Sequence, residues 1–426
     1  MSTNAISDKL YIKILIAIVL AVIVGYLTNK QNIWGLRFYS AYGFLGELFL
    51  NALRMMIVPL ITTSIITSIG NFPNNKSIGQ LSWLTIVYYI ITSFIVIVLG
   101  VVLVMLIKPG YISGQAAKHL LGLSDLNPDM LQHLSNHGVE DLFGIFLRMV
   151  PVNIIKAAAD GELLGLILFS FLFGFFITKL PDDKKVVMRN FWEDANTIAQ
   201  NMVILILKFA PIGIFGLVAK TVANTGFASF IPLLKFFFTV LLGLAIHAFI
   251  LLPLLLFFVA KRAPWKYVRA VSPALLTAFS TASSSATLPV TLESIIYRTN
   301  ISPAVSKFVL PLGATVNMDG TALYECVAAL FLIQAYGVKI TFLKAVMVIL
   351  LALLTSIGVA GIPAASLVAI GVILMAVGLP LQALGVLLIT DRILDMCRTT
   401  VNVWSDTCCT AIVARLSGNV KLTKKR

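Results

Sequence analysis

The last apolar stretch of the chain, residues 381–416, carries polar and charged side chains at intervals of three or four residues. They are Asp391, Asp395, Arg398, Thr399, Asn402 and Asp406. In an α-helix this spacing puts them on one face. Each Asp or Arg near the centre of a bilayer costs about 2.5–3.5 kcal/mol on insertion scales, so such a face must contact partners or water. The pattern predicts a binding site, although Asp395 and Arg398 could instead form a purely structural ion pair.

A second polar group interrupts the apolar run 309–333. It is the sequence Asn317-Met318-Asp319-Gly320-Thr321. Gly320, beside short polar residues that favour turns, is where we expect the helix to unwind and expose backbone carbonyls. Unwound carbonyls coordinate sodium in transporters. Together with Asn317, Asp319 and Asp406 they predict a sodium site; a simple kink is the alternative.

Two further features add candidate groups. Tyr89, Thr92 and Ser93 place a phenol and two hydroxyls close together on an apolar helix. Taken alone they favour a structural role, because Ser and Thr in membrane helices commonly bond the i−4 carbonyl. Glu325 lies in the same apolar run as Asp319. Burial favours the protonated carboxyl, so Glu325 could carry a proton, or could be a neutral hydrogen-bonded acid without a transport role. His247 stands alone in an apolar helix, and we expect it to be structural.

The amino-acid composition indicates the class of protein in which these residues lie. Of 426 residues, 12% are charged and 59% hydrophobic, with a mean hydropathy of +0.97; soluble domains carry about 25% charged residues. The chain is predicted to be an integral membrane protein, which excludes a soluble enzyme, a disordered regulator and a secreted scaffold. The net charge of +14 comes from clusters between apolar runs. These clusters indicate cytoplasmic loops rather than nucleic-acid binding.

A transmembrane helix needs about 20 residues. The predicted spans are roughly 10–28, 43–69, 82–107, 142–178, 196–219, 231–259, 304–335 and 381–416. The acidic segment 109–141 should lie outside, and the basic clusters at 179–189, 261–269 and 421–426 inside. Eight spans with both termini in the cytoplasm satisfy this alternation. We expect them to cross the inner cell membrane.

Two apolar stretches do not fit as simple spans. Thr281–Thr287 interrupts about 270–297, and Gly358–Ser366 interrupts about 343–378. Each is predicted to be a re-entrant hairpin, tolerated where its tip is buried in protein or lines a cavity. A hairpin followed by a polar-interrupted helix, occurring twice, is typical of inverted-repeat transporters with a site at the midplane. Small-residue helix-packing surfaces are the alternative.

These motifs together resemble the glutamate transporter family, the dicarboxylate/amino acid:cation symporters, in its acidic amino acid branch and of bacterial type. The resemblance runs from Phe49–Leu60 to the end of the last span, and four ordered motifs carry it: Ser283–Pro289, Asn317–Thr321, Ala360–Pro363 and Asp395–Asn402. It implies an all-α polytopic fold of eight transmembrane helices and two re-entrant hairpins with inverted repeats. It also implies a homotrimer that works as an elevator. Residues 1–260 would be mainly scaffold, with the third and sixth spans moving, and residues 261–426 the transport core.

The resemblance implies a substrate site. Its residues are Ser283, Ser284, Ser285, Thr321, Ile362, Asp395, Arg398, Thr399 and Asn402. Arg398 would receive the side-chain carboxylate of an acidic amino acid, a planar fork suited to a bidentate bond. Asp395 and Thr399 would take the amino group. Asn402 and the serine tip would hold the α-carboxylate, while Ile362 would close the second hairpin over it.

The resemblance also implies three sodium sites. The first combines Asp406 with carbonyls of Gly313, Asn317 and Asn402; the second uses carbonyls of Thr315, Ser356, Ile357 and Val359; the third uses Tyr89, Thr92, Ser93, Asn317 and Asp319. Ligand and ions that stabilise the same closed hairpin would raise each other's affinity. Glu325 matches members that co-transport a proton. No cofactor is expected beyond the transported sodium, and membrane lipid is the other partner.

Some positions depart from the family. Ala282 and Met396 stand where different branches carry an arginine, with Arg392 nearby, and Ser405 replaces a usual glycine.

We expect a symporter for L-glutamate and L-aspartate coupled to sodium, with some proton involvement. A proton- or sodium-coupled transporter of C4-dicarboxylates, cystine or neutral amino acids is the alternative. An intramembrane hydrolase is disfavoured because the chain has no G-x-S-x-G sequence, and concentrative uptake would exclude a channel. A dry Arg398–Asp395 seam without a chamber would contradict this interpretation.

Overall fold

The computed structural model describes residues 4–28, 32–33, 36–71, 79–123, 147, 149–160, 163–358 and 366–418. This part of the chain is helical apart from two small antiparallel ribbons. β1 (Asn32–Ile33) pairs with β2 (Leu36–Arg37), and β3 (Tyr111–Ile112) pairs with β4 (Gln115–Ala116).

The first ten helices cover the predicted spans one to six. They are α1 (Asn4–Thr28), α2 (Phe38–Met55), α3 (Ile57–Gly70), α4 (Gly79–Ile107), α5 (Ile154–Asp160), α6 (Leu163–Ile177), α7 (Asp182–Lys208), α8 (Ala210–Thr225), α9 (Phe230–Ile246) and α10 (Leu252–Phe258). Several predicted spans are divided. The span 43–69 breaks at Met56, and the span 196–219 at Phe209, just before the proline at the start of α8. A π-helical turn, His247–Leu251, joins α9 to α10, whose second residue is also a proline. Proline lacks the N–H that would continue the helical hydrogen bonds at the start of α8 and of α10.

The remaining helices form the region with the candidate residues. They are α11 (Pro264–Thr281), α12 (Ser284–Glu293), α13 (Pro303–Val316), α14 (Asp319–Ala335), α15 (Phe342–Gly358), α16 (Ser366–Ala376) and α17 (Leu384–Leu416). Between α11 and α12 the chain reverses at Ala282, whose φ of 50° is left-handed. Ser283 then caps α12 by accepting the Ala286 N–H at 3.2 Å.

The predicted seventh span is divided at Asn317 and Met318, where α13 ends and α14 begins. The prediction placed the break at Gly320, but Gly320 lies in the first turn of α14. The helix begins earlier because Asn402 Oδ1 accepts the Gly320 N–H at 2.8 Å. A carboxylate at Asp319, in the same first turn, is also favoured by the helix dipole.

By length and composition, four helical stretches of the described chain could cross a membrane: Phe38–Gly70, Gln80–Ile107, Ala210–Phe258 and Pro303–Ala335. Three shorter apolar helices accompany them. Every residue of α14 is buried, and α4, α9, α15, α16 and α17 contact it. Large apolar side chains such as Leu106 and Phe249 are exposed instead. An apolar outside around a polar interior is the arrangement expected in lipid.

Candidate substrate and ion site

Arg398 on α17 is buried and paired with two carboxylates. Its Nη2 atom donates to Asp395 Oδ1 at 2.9 Å and to Asp391 Oδ1 at 3.0 Å. The guanidinium carbon lies 3.7 Å from the ring centroid of Tyr324 on α14, a cation–π distance. The Nε and Nη1 atoms have no hydrogen-bond partner among the described residues. Arg398 therefore keeps donors that could receive another carboxylate.

The Arg398–Asp395 contact is the ion pair that the structural alternative predicts. It differs from a closed pair because one guanidinium nitrogen serves both carboxylates while two others have no partner in the described chain. Arg392 Nη1 lies 3.8 Å from Asp395 Oδ2 and adds a second cation. A cavity of about 500 Å³ lies elsewhere, between α2, α8 and the start of α17, and none of the predicted substrate residues lines it.

Asn402 joins α17 to the start of α14. Its Oδ1 atom accepts the Gly320 N–H, and its Nδ2 atom donates to Thr321 Oγ1 at 3.0 Å. A Cβ atom at Gly320 would lie only 2.8 Å from the Arg398 carbonyl oxygen. Glycine is required here because the two helices approach so closely. Asn402 and Thr321 therefore lie beside the Arg398 segment, and Thr399 is buried in the same turn of α17.

The serine tip of the first hairpin is held mainly by backbone contacts. Ser284 Oγ donates to the Ala314 carbonyl oxygen at 2.8 Å, which places the tip beside α13. Ser283 caps α12, and Thr287 Oγ1 donates to the Ser283 carbonyl oxygen at 2.8 Å. Ser285 is exposed, unlike its two neighbours. Of the three predicted serines, Ser285 is thus the one that faces outward.

Asp319 accepts four hydrogen bonds in the interior. Thr92 and Ser93 of α4 donate to Oδ1 at 3.2 and 2.8 Å. Ser405 Oγ lies 2.6 Å from Oδ2, and His247 Nε2 lies 3.1 Å from the same oxygen. The structure therefore brings together three members of the predicted third sodium set, together with two residues outside it.

In the sequence His247 stands alone in an apolar helix, but in the structure it has a charged neighbour. It begins the π-helical turn after α9 and is buried against Asp319. The sequence could not show this pair, because the two residues are 72 positions apart. The π-turn is itself a signal, since such turns recur at functional sites.

Asp406 forms a second carboxylate centre with Asn317. Asn317 Nδ2 donates to Asp406 Oδ1 at 2.9 Å, and Asn317 Oδ1 has no partner in the described part of the chain. A Cβ atom at Gly313 would collide with Asp406 Oδ1 and lie 2.9 Å from the Tyr89 hydroxyl. Tyr89 itself donates to the Val309 carbonyl oxygen at 3.0 Å. The carboxylate of Asp406 and the phenol oxygen of Tyr89 thus converge at Gly313.

The second predicted sodium set is not assembled by described side-chain contacts. Thr315 Oγ1 donates to Leu312 O at 3.1 Å, and Ser356 Oγ to Leu353 O at 3.0 Å, each within its own helix. Ile357 belongs to α15. Val359 and Ile362 lie outside the described residues. This sodium site stays a prediction.

Glu325 is fully buried on α14. Its Oε2 atom accepts the Thr355 hydroxyl of α15 at 2.8 Å, and Oε1 has no partner within the described residues. The proton role of Glu325 stays a prediction.

Residues that the sequence reasoning missed complete the site. Tyr324 stacks on Arg398, and Ser405, identified only as a departure from glycine, contacts both Asp319 and Asn317. Asp391 was placed on the polar face without a role, and it shares the Arg398 guanidinium. The contacts of Tyr324 with Arg398 and of Ser405 with Asp319 join different helices, so they leave no local sequence pattern.

Buried carboxylates around an interrupted helix, beside an arginine whose Nε and Nη1 have no partner among the described residues, fit the binding site of a secondary transporter. The comparisons with known proteins name its family. The sequence profile of the sodium:dicarboxylate symporter family matches residues 10–416. The chain belongs to this family.

Relatives match along nearly the whole chain. An excitatory amino acid transporter of Caenorhabditis elegans is 34% identical over 94% of this chain and 86% of its own length. Excitatory amino acid transporter 3 of Oryctolagus cuniculus is 32% identical over 96% of this chain and 86% of its own. The proton/glutamate-aspartate symporter of Escherichia coli K12 is 30% identical over 95% and 92%.

Proposed function

We propose that this protein is a secondary active symporter that takes up L-glutamate and L-aspartate with sodium ions and a proton. The observation that carries the proposal is the buried Arg398, which pairs with Asp391 and Asp395 through one nitrogen and leaves Nε and Nη1 without described partners. An amino acid with an anionic side chain suits both the donors of Arg398 and the carboxylate of Asp395. Its carboxylate takes the unused donors, and its ammonium group competes with Arg398 for Asp395.

The remaining substrate contacts come from groups beside this arginine. Thr399 assists with the amino group, and Asn402 with Thr321 lies where the α-carboxylate would bind. The serine tip of the first hairpin, with exposed Ser285, closes the site from one side. Ile362 would close it from the other. A substrate with two carboxylates and one ammonium matches one fixed cation and fixed anions, which favours an acidic amino acid.

Sodium ions occupy the centres around the two aspartates in this proposal. Asp406 with carbonyls of Gly313, Asn317 and Asn402 forms one site, beside the Asn317 Oδ1 atom that has no partner among the described residues. Asp319 with Tyr89, Thr92, Ser93 and Asn317 forms another. The carbonyls of Thr315, Ser356, Ile357 and Val359 form the third when the second hairpin closes. The names of the E. coli relative and of the family support proton and sodium coupling respectively.

The wider architecture follows the same proposal. Eight spans and two hairpins make an inverted repeat in the inner cell membrane, with both termini in the cytoplasm. Residues 1–260 are mainly the scaffold of a homotrimer, with the third and sixth spans moving. Residues 261–426 carry the cargo across as an elevator. The contacts of α14 with α4 and α9 support the joint movement of those helices with the core.

A family member for C4-dicarboxylates, cystine or neutral amino acids is the second candidate. A C4-dicarboxylate also fits Arg398 but brings no ammonium group to compete for Asp395. The test is uptake of labelled glutamate, aspartate and succinate into proteoliposomes, under a sodium gradient and then a proton gradient. Concentrative uptake of either amino acid is expected. Uptake of succinate alone would contradict the proposal.

A further inference from the structure

Ser405 lies between the two carboxylates of the proposed sodium sites. Its hydroxyl donates to Asp319 Oδ2 at 2.6 Å and accepts an N–H of Asn317 Nδ2 at 3.1 Å. The other N–H of Asn317 Nδ2 donates to Asp406 Oδ1 at 2.9 Å. A continuous hydrogen-bonded relay therefore runs from Asp319 through Ser405 and Asn317 to Asp406. All four residues are buried, so water does not compete with the relay.

The relay fixes the orientation of the Asn317 amide. Both amide hydrogens are used, one by Ser405 and one by Asp406, so the amide oxygen points away from them. That oxygen, Oδ1, has no partner among the residues that the structure describes. It therefore remains available as an oxygen ligand. Hydrogen bonds in series inside a protein also polarise one another, which stiffens such a chain.

The physical problem that the relay addresses is the repulsion between cations. Two sodium ions in one buried region repel each other, so sites that interact only through space would bind with negative cooperativity. A shared rigid element has the opposite effect. The first ion fixes the side chain of Asn317 and, through Ser405, also that of Asp319. The second ion then binds without the free-energy cost of fixing its own ligands.

We propose that Ser405 is a positioning residue that couples the sodium site at Asp319 to the sodium site at Asp406. The proposal rests on the proposed function, because it assumes sodium at Asp319 and at Asp406. With glycine at this position the relay would be cut, because Asp319 Oδ2 would lose a donor and one Asn317 N–H would lose its acceptor. Ser405 therefore gives this chain a link that a glycine at 405 would not supply.

The test is the sodium dependence of labelled glutamate and aspartate binding to the purified full-length protein. The variants are Ser405→Ala, Ser405→Gly and Ser405→Thr. The matched control is Thr407→Val in the same helix, because the Thr407 hydroxyl is buried and donates to the Trp404 carbonyl oxygen at 2.8 Å. Thermal unfolding and substrate affinity at saturating sodium are measured for each variant.

The wild type is expected to show a Hill coefficient for sodium above one. Ser405→Ala and Ser405→Gly should bring this coefficient close to one and raise the half-saturating sodium concentration about tenfold. Substrate affinity at saturating sodium should change less than the half-saturating sodium concentration. Ser405→Thr, which keeps the hydroxyl, and Thr407→Val should behave like the wild type.

A steep wild-type curve that stays steep in both Ser405→Ala and Ser405→Gly would overturn the relay and leave the proposed function intact. An equal loss of steepness in Thr407→Val would also overturn it, because general packing would then explain the effect. Binding that does not depend on sodium in the wild type, or no binding of either amino acid, would contradict the relay and the proposed function together.

Discussion

Asn402 on α17 accepts the backbone N–H of Gly320 on α14 at 2.8 Å, and this contact joins the proposed substrate site to the proposed ion sites. Gly320 follows Asp319 directly, and Asn402 is one turn from Arg398 on the same helix. Any ligand that fixes the position of α17 here also fixes the start of α14. Substrate and sodium can thus stabilise one arrangement, which is the physical requirement for their coupling.

Gly320→Ala is expected to weaken the binding of substrate and sodium together. The added Cβ atom would lie 2.8 Å from the Arg398 carbonyl oxygen, so the two helices must separate. A displacement of about 1 Å at a site can cost about 100-fold in function, and we expect a loss of at least tenfold in both affinities. Gly371→Ala is the control, because its Cβ would meet Leu381 at an ordinary 3.4 Å. Binding assays that find only one affinity changed would argue against the shared contact.

Arg398→Lys is expected to reduce the affinity for glutamate and aspartate about 30- to 1,000-fold, equivalent to about 2–4 kcal/mol. Lysine keeps the positive charge but not the planar fork that forms a bidentate bond. Arg398→Cys should abolish acidic substrate binding while sodium binding remains. Equilibrium binding of labelled substrate and calorimetric titration with sodium measure the two effects. Unchanged glutamate affinity in either variant would remove Arg398 from the substrate site.

Glu325→Gln is expected to flatten the pH dependence of net uptake and to leave substrate affinity within about threefold of the wild type. If the wild-type carboxyl must take a proton to cross the membrane uncharged, uptake falls as the pH rises and fewer Glu325 side chains are protonated. The glutamine amide is neutral at every pH, so this dependence disappears. Uptake into proteoliposomes between pH 5 and 9 measures this dependence. Thr355→Val, which removes the hydroxyl bonded to Glu325 but keeps the carboxyl, is the companion variant. The same pH profile in Glu325→Gln and the wild type would exclude the proton role.

The sequence predicted the polar face of α17 and the interruption between α13 and α14, because both features depend on local patterns. A step of three or four residues places Asp391, Asp395 and Arg398 together, and a polar group in an apolar run marks a break. It did not predict that His247 and Ser405 contact Asp319. Those contacts depend on how separate helices pack, and no spacing along the chain encodes them.

Gly313→Ala tests the site around Asp406, where a glycine is in close contact with the carboxylate. A Cβ atom at this position would collide with Asp406 Oδ1 and lie 2.9 Å from the Tyr89 hydroxyl, so the carboxylate must move away from Asn317. Because a sodium site needs its oxygens at fixed distances, we expect the half-saturating sodium concentration to rise at least tenfold. Substrate affinity at saturating sodium should change less, because Gly313 lies outside the Arg398 cluster. Gly70→Ala is the matched control, since its Cβ would meet only ordinary contacts at 3.7 Å or more. Sodium titration that is unchanged in Gly313→Ala would show that Asp406 does not bind sodium in this arrangement.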